Sequence, residues 1–380
     1  LWLVSAEGGD ARRITRHPGE ERYARFSPDG QWIAFTGGYD GGSDVYLMEA
    51  TGGVPRRLTF HPSADRVLGW MPGGEEIYFR SGRETPNRGE RVYTVAADGT
   101  GMPRALPVDR AGLSAISPDG GSIAYNRISR EDRTWKRYRG GMAQNIWLGS
   151  LAEMDYRPVT DWTGTDNYPM WGEGNELYFT SDREQGTLNL YSYDLDDGAV
   201  TRLTHYDDYD VKYPSIGPGA IVYQYGEALH LFDLAAATAR RVPVNIASDR
   251  VPLRPTYEEL DGDFGSFGLS PAGTRLLLES RGELVNLPVE EGLAVNLTAT
   301  SASREKNGAW SPDGKWIAFI SDRSGEEEIY LVAQEGGEWR QVSRGGLGFR
   351  MQPVWSPDST CLLFSDKFMR LNLLDVESGN

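Results

Sequence analysis

The apolar positions of this chain fall in short clusters framed by turn-forming sequence. The clearest is Trp32-Ile33-Ala34-Phe35, preceded by Phe26-Ser27-Pro28-Asp29-Gly30. The same run returns at 310–319 as Trp-Ser-Pro-Asp-Gly-Lys-Trp-Ile-Ala-Phe, and weaker copies lie between the two. Each copy leads into a second apolar strand, such as 44–48, then a Gly-Gly or Asp-Gly turn and a strand ending in Leu-Thr, such as 56–59. Asp-Gly supplies the positive φ angles of a tight hairpin. Runs such as Ile317-Ala318-Phe319 and Leu276-Leu277-Leu278 do not alternate strictly, so they predict strands covered on both faces. No stretch carries a sustained helical period, and the expected fold class is all-β.

The marker position falls at Ser27, Met71, Ser117, Gly172, Gly217, Ser270, Ser311 and Ser356, with gaps of 44, 46, 55, 45, 53, 41 and 45 residues. A period of about 40–45 residues with four strands is that of a β-propeller blade. The 55-residue gap holds a basic, aromatic insertion at 127–141. The 53-residue gap holds proline-rich sequence at 243–255 and then Leu260-Asp261-Gly262-Asp263, which reads as a linker.

Counting units gives a six-bladed propeller over 1–244, its first blade represented by its last two strands, a linker over 245–263, and three blades of a second propeller over 264–380. Three blades do not close a ring. The chain also opens at Leu1 on what already reads as a strand, so it is expected to be a fragment, with any export signal upstream.

Composition narrows the function classes. Thirty-nine basic residues against 55 acidic ones give a net charge of −16. That balance excludes the basic footprint of a nucleic-acid binder and disfavours an anionic membrane surface. Cys361 is the only cysteine, so an internal disulfide and a cysteine metal cage are excluded. The chain has no Gly-x-Ser-x-Gly elbow, His-Glu-x-x-His or phosphate-cradling glycine loop, and no catalytic, metal or cofactor residue is expected.

His17 and His61 lie 44 residues apart, the interval of their markers, and His205 follows in phase; repeat position accounts for all three. His230 reads as a strand residue. The acidic turn 205–210 lacks the order of a Ca²⁺ loop and reads as solvated. Asn296-Leu297-Thr298 is a glycosylation sequon standing where the repeat places Leu-Thr anyway.

The insertion is the stretch the repeat does not explain. Arg130, Arg133, Trp135, Lys136, Arg137, Tyr138 and Arg139 stand within eleven residues of an acidic chain. Arginine grips a carboxylate bidentately, and Trp or Tyr stacks on a peptide. A structural excursion packed on a neighbouring blade is the alternative.

The pattern Trp135-Lys136-x-Tyr138-Arg139-Gly140-Gly141 followed by Ile146-Trp147 resembles the first propeller of the tricorn protease family. Leu1-Trp2, the run 22–29 into Ser-Pro-Asp-Gly, Thr165-Asp166-Asn167-Tyr168-Pro169, and 206–210 followed by Tyr213-Pro214 resemble it too. The resemblance implies a six-bladed propeller, then a seven-bladed one, then a serine-peptidase part with a PDZ-like module, its catalytic residues outside this chain. This region is then the substrate-gating, peptide-channelling part of a cytoplasmic peptidase, whose partners are peptide substrates, its own catalytic part and further copies in a hexamer.

The resemblance also points to paired arginines that hold a substrate C-terminal carboxylate in the loop before the third blade. The corresponding loop, 61–66, offers Arg66 alone, either as a carboxylate anchor or as a partner of Asp65 or a neighbouring loop. Arg137, Arg139 and Trp135 are the other candidate substrate contacts. A free-standing TolB-like interaction scaffold and the propeller of a prolyl-oligopeptidase-type hydrolase use the same Ser-Pro-Asp-Gly unit. The insertion and the break after six units favour the first reading.

Overall fold

The computed structural model describes residues 1–85, 89–108, 110–128, 138–249, 251, 254, 256 and 262–379. They form two compact units, 1–251 and 252–380, divided inside the stretch read as a linker. Among the described residues the regular structure is strand, with no α-helix.

In the first unit, five successive antiparallel sheets of four strands follow one plan. The second sheet of the unit shows it: Glu21–Phe26, Trp32–Gly37, Asp44–Glu49 and Arg56–Arg57 pair in chain order. The third begins at Asp65–Trp70, the fourth at Ser114–Ile116, the fifth at Asp166–Trp171 and the sixth at Val211–Gly217. The first sheet differs. Trp2–Leu3 and Gly9–Arg13 form a hairpin, and Val244–Ile246 joins Gly9–Arg13 in parallel, so the end of the unit is bonded to its beginning. The second unit has two four-stranded sheets, beginning at Phe267–Leu269 and Glu305–Trp310, and a three-stranded one beginning at Val354–Trp355.

The repeated sequence signals have local chemical causes. In Ser-Pro-Asp-Gly, the serine hydroxyl donates to the aspartate two residues on and accepts the amide of the returning strand: Trp32 N to Ser27 Oγ is 2.9 Å, Ser122 N to Ser117 Oγ 2.9 Å, and Trp316 N to Ser311 Oγ 3.0 Å. Gly30, Gly120 and Gly314 sit at φ of 71°, 73° and 74°, where a Cβ is strained. The terminal Leu-Thr has a matching role. The threonine hydroxyl accepts an amide of the sheet's third strand, as from Val45 to Thr59 and from Leu190 to Thr204, both at 2.9 Å.

Both faces are covered in second strands such as Trp316–Ser321, as their unbroken apolar runs require, whereas Val222 in Ala220–Tyr225 and Leu363 in Cys361–Ser365 are exposed. In Trp316–Ser321, Ile317 and Phe319 enter one buried cluster while Ala318 and Ile320 enter the next. A cross-strand aromatic pair recurs in four sheets: Phe35 opposite Tyr46, Phe79 opposite Tyr93, Phe179 opposite Tyr191 and Phe319 opposite Tyr330, with ring centroids 5.8–6.0 Å apart. Burying each of these phenylalanines is worth about 1.5–3 kcal/mol.

Candidate functional site

Four first strands of the first unit are irregular at one place. The register shifts between Arg22 and Arg25, Val67 and Gly69, Asn167 and Met170, and Lys212 and Ser215. Within three of these bulges a tyrosine takes a left-handed backbone: Tyr23 at φ 56°, Tyr168 at 55° and Tyr213 at 51°. A bulge bends its strand and re-aims the side chains that follow, at a local conformational cost.

Past the bulges, the strand ends meet around a cavity of about 260 Å³. Its wall draws on five successive sheets through residues such as Arg25, Leu68, Ala115, Tyr168 and Ser215. The ends are stitched sheet to sheet. Trp70 Nε1 donates to the carbonyl oxygen of Arg25 at 3.1 Å, and Trp171 Nε1 to that of Ala115 at 3.0 Å.

Arg66 lies on Asp65–Trp70, one residue beyond a fully buried acid. It does not pair with Asp65, which is held by Arg83. Its Nη1 meets Glu90 Oε1 at 2.6 Å, and the other oxygen of Glu90 takes Arg80 Nη1 at 3.0 Å. One internal carboxylate therefore bridges a half-exposed arginine and one whose side chain is 1% exposed. Arg66 is chemically suited to a carboxylate and already holds one. Neither Glu90 nor Arg80 stood out in the sequence, because the pair spans a loop and two strands.

Arg139 stacks on the indole of Trp162 at 4.8 Å, and Trp162 Nε1 donates to Asp182 Oδ1 at 2.7 Å. The close of the insertion is thus packed on the loop before the fifth sheet. Trp135 and Arg137, the other two candidates there, lie outside the described residues. Arg66 lies on the first strand of the third sheet and Arg139 in a loop of the fourth, and neither lines the cavity.

The histidines occupy turns and packing positions. Gly19 N donates to His17 Nδ1 at 2.9 Å and Ser63 N to His61 Nδ1 at 3.0 Å, the same turn twice. His230 stacks against Tyr223. In the acidic turn, Asp208 accepts from Tyr225, and Asp210 Oδ1 accepts Leu188 N at 2.9 Å. No group of three His, Cys, Asp or Glu side chains suited to a metal ion occurs among the described residues.

Four-stranded antiparallel sheets that share buried cores with their neighbours, five of them turning their first strands to one cavity, are blades of the β-propeller type. The chain belongs to the tricorn protease family: the tricorn protease N-terminal β-propeller domain matches residues 1–238. It is 27% identical to tricorn protease homolog 1 of Streptomyces coelicolor over 100% of this chain and 36% of that protein. It is 25% identical to a tricorn protease homolog of Saccharolobus solfataricus over 100% of this chain and 35% of that one. The chain spans about a third of the length of these curated relatives. The crystal structure of the tricorn protease superposes on it with a TM-score of 0.63 at 19% identity, covering 100% of this chain and 37% of that one, which shows a shared fold.

Proposed function

We propose that this chain is the non-catalytic, peptide-channelling propeller region of a tricorn-like serine peptidase acting on oligopeptides in the cytoplasm. In this reading, residues 1–244 are a six-bladed propeller. Residues 264–380 are the first three blades of a second, seven-bladed one. The catalytic residues and the partner surfaces of a hexamer belong to the rest of the protein.

The observation that carries the reading is the cavity. Five sheets turn their first strands to one space, and its wall mixes apolar and aromatic side chains with polar groups and, among the described residues, a single charge. Such a wall suits peptide backbone and mixed side chains better than one small polar metabolite. The second unit supports the expectation of further blades. Leu362, Phe364 and Leu374 are buried on the inner face of its last sheet, whereas Val354, Leu363, Leu371 and Leu373 are exposed on the other.

The test compares the 380-residue chain with the full-length protein. The chain alone is expected to hydrolyse no peptide, and the full-length protein to do so through a serine-directed, inhibitor-sensitive site. Ala115→Trp, which fills part of the cavity, should lower kcat/KM for long peptides more than for short ones. Inhibitor-sensitive hydrolysis by the chain alone, or equal rates for Ala115→Trp and wild type, would overturn the proposal.

A further inference from the structure

Among the described residues, Arg25 is the one charged residue on the wall of the cavity in the first unit. Its guanidinium is half-buried and, among the described residues, bonded only to backbone. Nε donates to Leu68 O at 3.1 Å and Nη1 to Ala24 O at 2.9 Å. No described carboxylate pairs with it. The ionisable groups that act on it are the phenols of Tyr78, Tyr168 and Tyr23, with no carboxylate among them. Burial pushes its pKa below the ordinary guanidinium value, as expected of a cation with no counter-charge.

That arrangement is costly unless it serves something, because withdrawn charges are ordinarily paired. The bond to Leu68 does not explain it, since a neutral donor would make it as well. Nor does packing require a cation. The residues in the same repeat position, two before each marker, are Gly69, Ala115, Met170 and Ser215 in the other four sheets around the cavity. The backbone bonds fix the plane of the guanidinium and leave Nη2 without an acceptor among the described residues, so part of the donor fork remains for a ligand. The rest of the wall is uncharged, and it includes Trp70, Tyr168, Pro169 and Pro214, surfaces on which a peptide chain lies well.

We infer that the cavity is a carboxylate site anchored by Arg25 and that the carboxylate belongs to a peptide. The inference rests on the peptide-channelling reading above. A C-terminal carboxylate and a Glu or Asp side chain present the same two oxygens to the guanidinium.

Titration calorimetry on the 380-residue chain at low salt tests it with three acetylated peptides: Ala-Ala-Phe with a free C-terminus, the same peptide amidated, and amidated Ala-Glu-Phe. A charge-assisted pair is worth about 1.5–3 kcal/mol, so at least one acidic peptide should bind about tenfold or more tightly than the neutral amide. Which one does so identifies the source of the carboxylate, and either upholds the site. Arg25→Gln should bring the acidic peptides to the level of the amide, and Arg66→Gln, whose arginine is already held by Glu90, should not. Arg25→Lys keeps the charge without the fork and should retain a reduced preference. If Arg25→Gln does not fold, Ala115→Trp replaces it and should abolish the preference.

Equal binding of acid and amide by the wild type overturns the anchor and leaves the peptide-channelling reading standing. So does preference undiminished in Arg25→Gln or, in its place, Ala115→Trp. Failure of all three peptides to bind the wild type overturns both.

Discussion

The indole of Trp70 and the backbone of Arg25 form a reciprocal stitch between adjacent sheets: Trp70 Nε1 donates to Arg25 O at 3.1 Å, while Arg25 Nε donates to Leu68 O at 3.1 Å. The motif returns where Trp171 bonds to Ala115 and Trp355 to Ala309. Trp70→Phe leaves the Arg25 carbonyl without its donor in a partly buried place. It should destabilise the first unit by about 1–3 kcal/mol, read from urea unfolding by circular dichroism. Trp32→Phe is the control, since that side chain is substantially exposed and makes no such bond, and it should stay within about 0.5 kcal/mol of wild type. Equal losses for the two would argue that the stitch contributes nothing.

The Arg66–Glu90–Arg80 bridge makes an asymmetric prediction. Arg66 is 39% exposed on its side chain, Arg80 only 1%. Arg66→Ala removes a solvent-screened partner and should cost no more than about 1 kcal/mol. Glu90→Ala takes a carboxylate away from a buried guanidinium and should cost about 3–5 kcal/mol. Denaturant midpoints on the two variants and the double variant check it. A cost for Arg66→Ala matching that of Glu90→Ala would contradict the assignment.

The strand plan was legible because its signals are local. Ser-Pro-Asp-Gly closes its own hairpin, and the threonine of Leu-Thr caps an amide of its own sheet, so each copy announces itself in a few residues. The bulge was less legible because its geometry is shared by different sequences. Yet Tyr23, Tyr168, Tyr213 and Asn307 all lie four residues before a marker and all have positive φ. Arg25 was readable in the same way, as the cation among small and neutral residues two before the marker. The insertion is the more conspicuous stretch, because its charge is dense in sequence. What decides a site is charge that the fold leaves unpaired, and that depends on neighbours from other sheets.

The close of the insertion depends on a glycine. A Cβ on Gly164 would overlap the Arg139 guanidinium, Asp182 Oδ1 and Trp162 Nε1 together. Gly164→Ala should therefore break the Arg139–Trp162 stack and expose the Thr165 amide, which donates to Asp182 Oδ1 at 2.8 Å. Hydrogen exchange at Thr165 should accelerate, and the thermal midpoint should fall. Gly141→Ala has open space around the new methyl group and should change neither. Unaltered exchange in Gly164→Ala would show that the stack does not constrain this loop.

The aspartates of the Ser-Pro-Asp turns give a pH signature with a defined sign. A serine hydroxyl, and then a backbone amide, hold Asp29, Asp119 and Asp313 below the ordinary aspartate value of 3.8. A carboxyl whose pKa is lowered by folding contributes stability above its unfolded value and loses it as the pH falls through the folded value. The turns should therefore weaken only below about pH 3.8, and in parallel, because the cause is the same in each. Ser27→Ala should raise the Asp29 pKa toward its ordinary value and leave Asp313 where it is. Ser356→Ala should move Asp358 less, since Thr360 still donates to it through Oγ1 at 2.8 Å and through its amide at 3.2 Å. Carboxyl carbon shifts followed by NMR across acid pH resolve the sites individually. An Asp29 pKa that does not respond to Ser27→Ala would remove the hydroxyl as the cause. A response spread equally to Asp313 would point instead to a change in the net field of the protein.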